Sequence, residues 1–311
     1  MKKFLIKILM LILVFVAINL VLVLAIPNDG NAYLCEYNHK IELLETVQQP
    51  RIIFVGGSNI AFGLDSKTLS DSLNYNVINF GLHAGMGIRY PLEDCLQYVK
   101  QGDVIVIQME YQNFFSGGFG ESETLPQLMF STHWRNFSKL YPIQIGRVIL
   151  GLPQIAYGNF KRLIKYPIKK TFNSPVATTK YEYLKSGFNE YGDEESHWNL
   201  PKQDGNVSKK ETRDINNDFM EYLVIMINKY EAKGAKILLL PPVCPIASYK
   251  ASHNDNIDKA LISIGYPYIY EPSKMALSDT CSFNGGYHVD KEGVRQNTQH
   301  IIDALRFLKR E

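Results

Sequence analysis

Four short runs, Ile52–Val55, Val77–Phe80, Val104–Met109 and Ile237–Leu240, carry no charge and are mostly apolar, the first being mostly β-branched. Runs of this length and composition read as strands buried on both faces. Segments of helical length lie between the first three, namely Ser66–Leu73 and Ile88–Lys100. In the second of these Leu92, Cys95, Leu96 and Val99 share one side. Another helix, Asn216–Lys233, closes on Gly234 just before the fourth run. Strands joined by helices pair in parallel through right-handed crossovers. The alternation therefore restricts the chain to an α/β fold around a parallel sheet. Asn256–Ile264 adds a helix, and Tyr266–Tyr270 reads as a fifth, edge-like strand, because Pro267 cannot donate to a ladder. Lys291–Leu308 is the closing helix, with Asp290 placed as its N-cap.

The amino terminus imposes a second constraint. Lys2, Lys3 and Lys7 precede Ile8–Ile26, nineteen residues without a charge. As a helix this stretch spans about 28 Å, close to the ~30 Å hydrocarbon core of a bilayer. Lysines before the span and none directly after it place the amino terminus in the cytoplasm. The competing reading is a cleaved signal peptide, with Val23 and Ala25 as the small residues, but its apolar region would usually be about 7–15 residues. Residues 1–27 therefore read as a retained anchor, 28–50 as a connector with an amphipathic patch at Ile41–Val47, and 51–311 as the α/β domain. No lipobox precedes Cys35. The net charge of +2 supplies no general attraction to nucleic acid. Four cysteines allow disulfides in an oxidising compartment, Cys244 and Cys281 being the best-placed pair. Free, buried thiols are the preferred reading.

The α/β pattern breaks over about 114–207. This insertion holds both tryptophans, a basic run (Arg135, Lys139, Arg147, Lys161, Arg162, Lys165, Lys169, Lys170) and an acidic patch at Glu182–Glu195. It reads as a partly helical cap over the core, and its basic residues mixed with Leu, Ile, Phe and Tyr also suit an anionic membrane surface. Asn136 and Asn206 each begin a glycosylation sequon.

The chemistry-bearing residues sit where the strands end. Gly56-Gly57-Ser58-Asn59 follows the first strand; the glycines allow a sharp turn and leave the hydroxyl uncrowded at the edge where α/β sheets hold ligands. Asn79-Phe80-Gly81-Leu82-His83-Ala84-Gly85 follows the second and Glu110-Tyr111-Gln112-Asn113 the third. His288 lies in Gly285-Gly286-Tyr287-His288, just before the closing helix. A serine and a distant histidine are the minimum parts of an activated nucleophile. The blocks Val55-Gly56-Gly57-Ser58-Asn59, Ala61-Phe62-Gly63-Leu64-Asp65 and Gly81-Leu82-His83-Ala84-Gly85 resemble the SGNH/GDSL hydrolase superfamily, and more narrowly its membrane-anchored bacterial branch. The resemblance covers about 50–113 and 216–308 and leaves the insertion unmatched.

What the resemblance implies is a three-layer α/β/α sandwich, flavodoxin-like, with a parallel sheet of about five strands, a helical insertion and one N-terminal transmembrane helix. It implies an exported serine esterase or O-acyltransferase acting on acyl esters of cell-envelope glycans. The protein would be single-pass in the bacterial cell membrane with its catalytic domain outside, without metal or other cofactor and without a nucleic-acid partner. The partners the resemblance allows are an acylated glycan or other ester substrate, the membrane through the N-terminal helix, and a membrane-bound acyltransferase. Ser58 would be the nucleophile and His288 the general base. The N–H groups of Ser58 and Gly81 would form the oxyanion hole, with Asn113 the nearest counterpart of the family's asparagine donor. The family's aspartate three or four residues before the histidine is absent; Gly285 and Asn284 stand there. Three readings stay open: a Ser–His dyad oriented by Asn284 or a backbone carbonyl, support from Asp279, or a weakened site that binds glycan or a membrane acyltransferase. Asn59, His83 and Glu110 are candidates for substrate contact. Their structural alternatives are orientation of the loop for Asn59, a backbone bond for His83 and an ion pair with Arg89 for Glu110.

Overall fold

The computed structural model describes residues 1–26, 30–132, 134–135, 137–165, 183–203 and 207–309. Asn136, Lys169, Lys170, Glu182 and Asn206 lie outside these, as does the boundary at 27–28 between anchor and connector. Helix α1 (Lys2–Leu24) is long and apolar enough to cross a membrane, and nearly all of its side chains are exposed, Val23 being buried. The stretch read as a connector is built into the core: α2 (Glu36–Thr46) buries Tyr37, Ile41 and Leu44 against the sheet.

The sheet starts at β1 (Arg51–Gly56). It is followed by a single helical turn α3 (Ser58–Ala61), α4 (Ser66–Leu73), β2 (Asn76–Asn79), α5 (Arg89–Cys95) and β3 (Val104–Gln108). Helix α4 begins where Asp65 accepts the Thr68 N–H and ends where Asn74 turns left-handed, so its bounds follow from local capping. The helix expected to reach Lys100 tightens after α5 into a 3-10 turn at Leu96–Tyr98. The insertion contributes α6 (Asn113–Ser116), α7 (Leu125–Ser131) and α8 (Pro142–Lys165). The chain returns through α9 (Asn217–Glu231), capped by Asn216, and β4 (Lys236–Leu239). After it come β5 (Cys244–Pro245), α10 (Ile246–Ser252), α11 (Asp255–Ser263), β6 (Ala276–Leu277) and α12 (Lys291–Leu305).

The main sheet holds four strands in the order β2–β1–β3–β4, all parallel. β1 and β3 pair from Ile52 with Val104 to Gly56 with Gln108. One face carries Ile53, Val55, Ile78, Ile105, Ile107 and Leu239, packed with α2, α5 and α9. The other carries Ile52, Phe54, Val77, Val106 and Leu238, packed with Leu69 of α4 and Ile301 of α12. Helices on both faces explain why each strand reads as an unbroken apolar run.

Tyr266–Tyr270 is not a strand. Its attachment to β4 is one bond, from the Ile269 N–H to the Leu239 carbonyl at 3.0 Å. Pro267 has no N–H to give, and the Tyr266 N–H turns back to Leu261 at 3.0 Å. A two-stranded parallel ladder, β5 with β6, forms instead beyond the main sheet. All four cysteines are buried thiols.

One buried ion pair ties this frame together. Arg51, fully buried at the start of β1, donates from Nε and Nη2 to both carboxylate oxygens of Asp103 at 2.9 and 2.8 Å. Its remaining donors reach the carbonyls of Leu44 at 2.7 Å and Tyr98 at 2.6 Å. A guanidinium can be buried only when its N–H groups are occupied in this way.

Candidate active site

In a parallel sheet whose chain runs from β1 to β2 on one side and then to β3 on the other, the crevice opens at the carboxyl ends of β1 and β3. Ser58 follows β1 and Glu110 follows β3 at this point. Both line an open cleft of about 410 Å³, together with Gln112, Tyr183, Asn284 and His288. The structure thus brings Ser58 and His288 to one cleft from opposite ends of the chain.

The Ser58 turn depends on close backbone packing. A Cβ at Gly57 would lie 2.9 Å from the Glu110 carboxyl, and one at Gly81 would lie 2.6 Å from Cβ of Ile60. Asn59 is fully buried; its Oδ1 accepts the Gly57 N–H at 3.2 Å and its Nδ2 donates to the Gln108 carbonyl at 2.9 Å. Asn59 therefore clips the turn to β3 through both ends of its amide. Ser58 opens α3, where its N–H has no acceptor within the helix. Its hydroxyl donates to Glu110 Oε1 across a long 3.4 Å.

His288 hangs from a tight loop. Ser282 and Val289 form an antiparallel bridge, and Gly285 and Gly286 between them have φ of 88° and 61°. Those values favour glycine and turn the chain back over the cleft. The imidazole stacks on Phe62, centroids 4.2 Å apart and planes 9° from parallel. Its Nδ1 is 2.7 Å from Asn284 Oδ1, and Asn284 Nδ2 donates to the Tyr183 hydroxyl at 3.1 Å. With an amide oxygen as acceptor, Nδ1 carries the proton and Nε2 keeps its lone pair. Burial, reinforced by neighbouring His197 and His83, pushes the His288 pKa down to about 3.

Glu110 is the second perturbed group. Burial lifts its carboxyl to about 7, against the opposing pull of hydrogen bonds from the Asn59 N–H and the Ser58 hydroxyl; Glu121 adds to the rise. Gln112 Nε2 donates to its other oxygen at 2.8 Å. The ion pair with Arg89 is not formed: that guanidinium bonds the Gly117 carbonyl at 2.6 Å and lies 4.0 Å from the Tyr222 ring centroid.

Other expected site residues are placed elsewhere. The Gly81 N–H donates to Asn79 Oδ1 at 3.0 Å. Asn113 starts α6, and its amide turns back to the Glu110 carbonyl at 2.9 Å instead of reaching the cleft. His83 Nδ1 accepts the Gly85 N–H at 2.9 Å, the backbone bond that was its alternative reading. Asp279 is exposed and accepts the Ala247 N–H at 2.8 Å at the start of α10; the partner of His288 is Asn284. Asp290 caps α12 through the Gly293 N–H at 2.9 Å.

The sequence reading missed what the insertion places beneath the site. Asp193, Glu194 and His197 are almost wholly buried. Asp193 accepts from Ser66 Oγ at 2.6 Å and Asn79 Nδ2 at 2.8 Å, joining the insertion to the start of α4 and the end of β2. Glu194 pairs with Nδ1 of His197, whose Nε2 donates to the Val289 carbonyl at 3.0 Å. The His197 ring also packs on Phe62, centroids 4.9 Å apart and planes tilted by 49°, so Phe62 contacts both His197 and His288. The one sequence signal was Glu194 and His197 three residues apart, which by itself suits any exposed turn.

Among the described residues, His253, Asp255 and Asp258 place donor atoms within 4.8 Å of one another. They are not part of the cleft, and His253 Nε2 is already bonded to Asp258 Oδ2 at 3.1 Å. No protein-family model matches the chain, and neither does any curated protein.

Proposed function

We propose that this protein is an exported serine esterase or O-acyltransferase of the SGNH type, acting on acyl esters of cell-envelope glycans. The observation that carries the reading is the convergence of Ser58 and an Asn284-oriented His288 in one cleft at the carboxyl edge of a parallel sheet. His288 Nε2 takes the Ser58 proton as Oγ attacks the acyl carbon. The carbon–oxygen bond to the alcohol breaks, and His288 returns the proton to the departing alkoxide. Water or a sugar hydroxyl then attacks the acyl-enzyme by the same route in reverse. The Ser58 N–H is one donor for the tetrahedral oxyanion. Glu110 in its protonated form is the second, a neutral acid kept so by burial, replacing the absent asparagine. The finer architecture belongs to this proposal as well: a three-layer sandwich on a single-pass anchor with the cleft outside the bacterial membrane.

A fluorophosphonate probe tests it. The full chain should label, Ser58→Ala should not, and His288→Ala should label far more slowly. A second reading, a protein that binds glycan or a membrane acyltransferase without turnover, is favoured by one observation: the imidazole's partner is an amide, not a carboxylate. Folded wild-type protein that fails to label would favour that reading. Transfer separates from hydrolysis when acyl donor and glycan acceptor are supplied together.

A further inference from the structure

Helix α8 is apolar on two sides. One side is buried through Gln144, Val148, Gly151, Ala156 and Asn159. Gly151 is pressed against α7's approach, where a Cβ would lie 2.0 Å from the Ser122 carbonyl oxygen. The opposite side exposes Ile143, Leu150, Tyr157 and Ile164, spaced seven residues apart, joined by Ile149 and Phe160. Leu150 and Ile164 are 75% and 72% exposed. A solvated helix would turn polar residues outward. The helix contains no acidic residue, and Lys161, Arg162 and Lys165 gather at its end. Lys161 Nζ stands 4.2 Å from the Tyr157 ring centroid.

The position of α8 says what covers that stripe. Apolar side chains are exposed along most of α1; Val23 in its last turn and Ile26 just beyond it are buried against protein, while Leu24 between them stays exposed. Whatever layer receives α1 therefore ends close to Leu22. Asn159 Nδ2 of α8 donates to the Leu22 carbonyl at 2.9 Å. The second apolar surface thus begins where the first one leaves the domain.

We infer that α8 is a second membrane-contacting element, its outer stripe lying at the boundary between headgroups and acyl chains of an anionic leaflet. Tyr157 and Phe160 occupy the depth that aromatic side chains favour, and the basic end meets lipid phosphates. The domain is then held at two points. This inference is independent of the chemistry proposed for Ser58.

The test uses the full chain at one copy per nanodisc. Single spin labels go on Leu150→Cys or Ile164→Cys in α8 and on Gln299→Cys on the exposed side of α12; the four native thiols are buried. In phosphatidylglycerol-containing discs, the α8 labels should be open to oxygen and roughly tenfold less open to a water-soluble nickel chelate than the α12 label. Equal nickel access at all three sites would overturn the proposal, as expected if a protein partner or a second copy covers the stripe. Replacing the anionic lipid with phosphatidylcholine should raise nickel access at Ile164→Cys severalfold; no change would overturn the electrostatic part.

Discussion

Asn284 Oδ1 lies 2.7 Å from Nδ1 of His288, at the position where a serine hydrolase normally places a carboxylate. The amide selects the tautomer but adds no charge to stabilise an imidazolium. Asn284→Asp should therefore raise the basicity of His288 and increase kcat on an acetyl ester by about tenfold or more. Steady-state kinetics with an acid limb shifted to higher pH would bear this out. An unchanged rate would mean that proton transfer to His288 does not limit turnover.

In the proposed mechanism Glu110 sets an upper pH limit on activity. Its carboxyl, near 7 in the fold, ionises as pH rises and then places a negative charge where the oxyanion forms. The wild-type rate should fall above about pH 7, and Glu110→Gln, which keeps a donor without a titration, should flatten that limb. A wild-type profile still rising well above that pH would remove Glu110 from the site chemistry.

The same residue affects stability with a definite sign. Its folded value of about 7 lies above the ordinary 4.5, so the unfolded chain loses its proton first. Stability linked to Glu110 is complete below the ordinary value and declines as pH rises through about 7. Glu110→Gln should be more stable than wild type at high pH, by at most about 3 kcal/mol, and show little gain in acid. Urea titrations at two pH values measure the difference.

His288 acts in the opposite direction. Its folded value of about 3 lies below the ordinary 6.5, so stability is complete above the ordinary value and declines as pH falls toward about 3. His288→Gln, which does not titrate, should unfold at lower pH than wild type, as read by near-ultraviolet circular dichroism. Coincident acid transitions would show that the ring is not desolvated.

Asp103→Ala leaves the buried Arg51 guanidinium without its carboxylate and should cost about 3–5 kcal/mol. Arg51→Met with Asp103→Leu should recover much of that loss, since it removes both buried charges. Chemical denaturation of the two variants separates the pair's net contribution from the penalty of an orphaned charge.

Elements with local signals were legible. Ser66–Leu73 has the expected bounds because Asp65 and Asn74 cap it, and Asp290 caps α12 for the same reason. Tyr266–Tyr270 was less legible: alternation can suggest a strand, but ladder bonds depend on which N–H groups face β4. In the site, Ser58, His288 and Asn284 could be picked out by their loops. Glu110 against Ser58, 52 residues apart, and His197 against Phe62 could not, because tertiary packing alone makes those pairs. Motif position suggests donor roles for Gly81 and Asn113, but not that a nearby side chain accepts the Gly81 N–H and a nearby carbonyl the Asn113 amide, since those bonds depend on loop geometry.

Gly56 sits opposite Gln108 in the β1–β3 register, and Ser58 and Glu110 each come two positions later. The hydroxyl and the carboxyl are level because the two strands overshoot their last rung equally. Length, more than side-chain identity, is therefore the fragile quantity here. A single inserted or deleted codon between Gly56 and Ser58, or between Gln108 and Glu110, would unseat one partner while leaving every layer of the core intact.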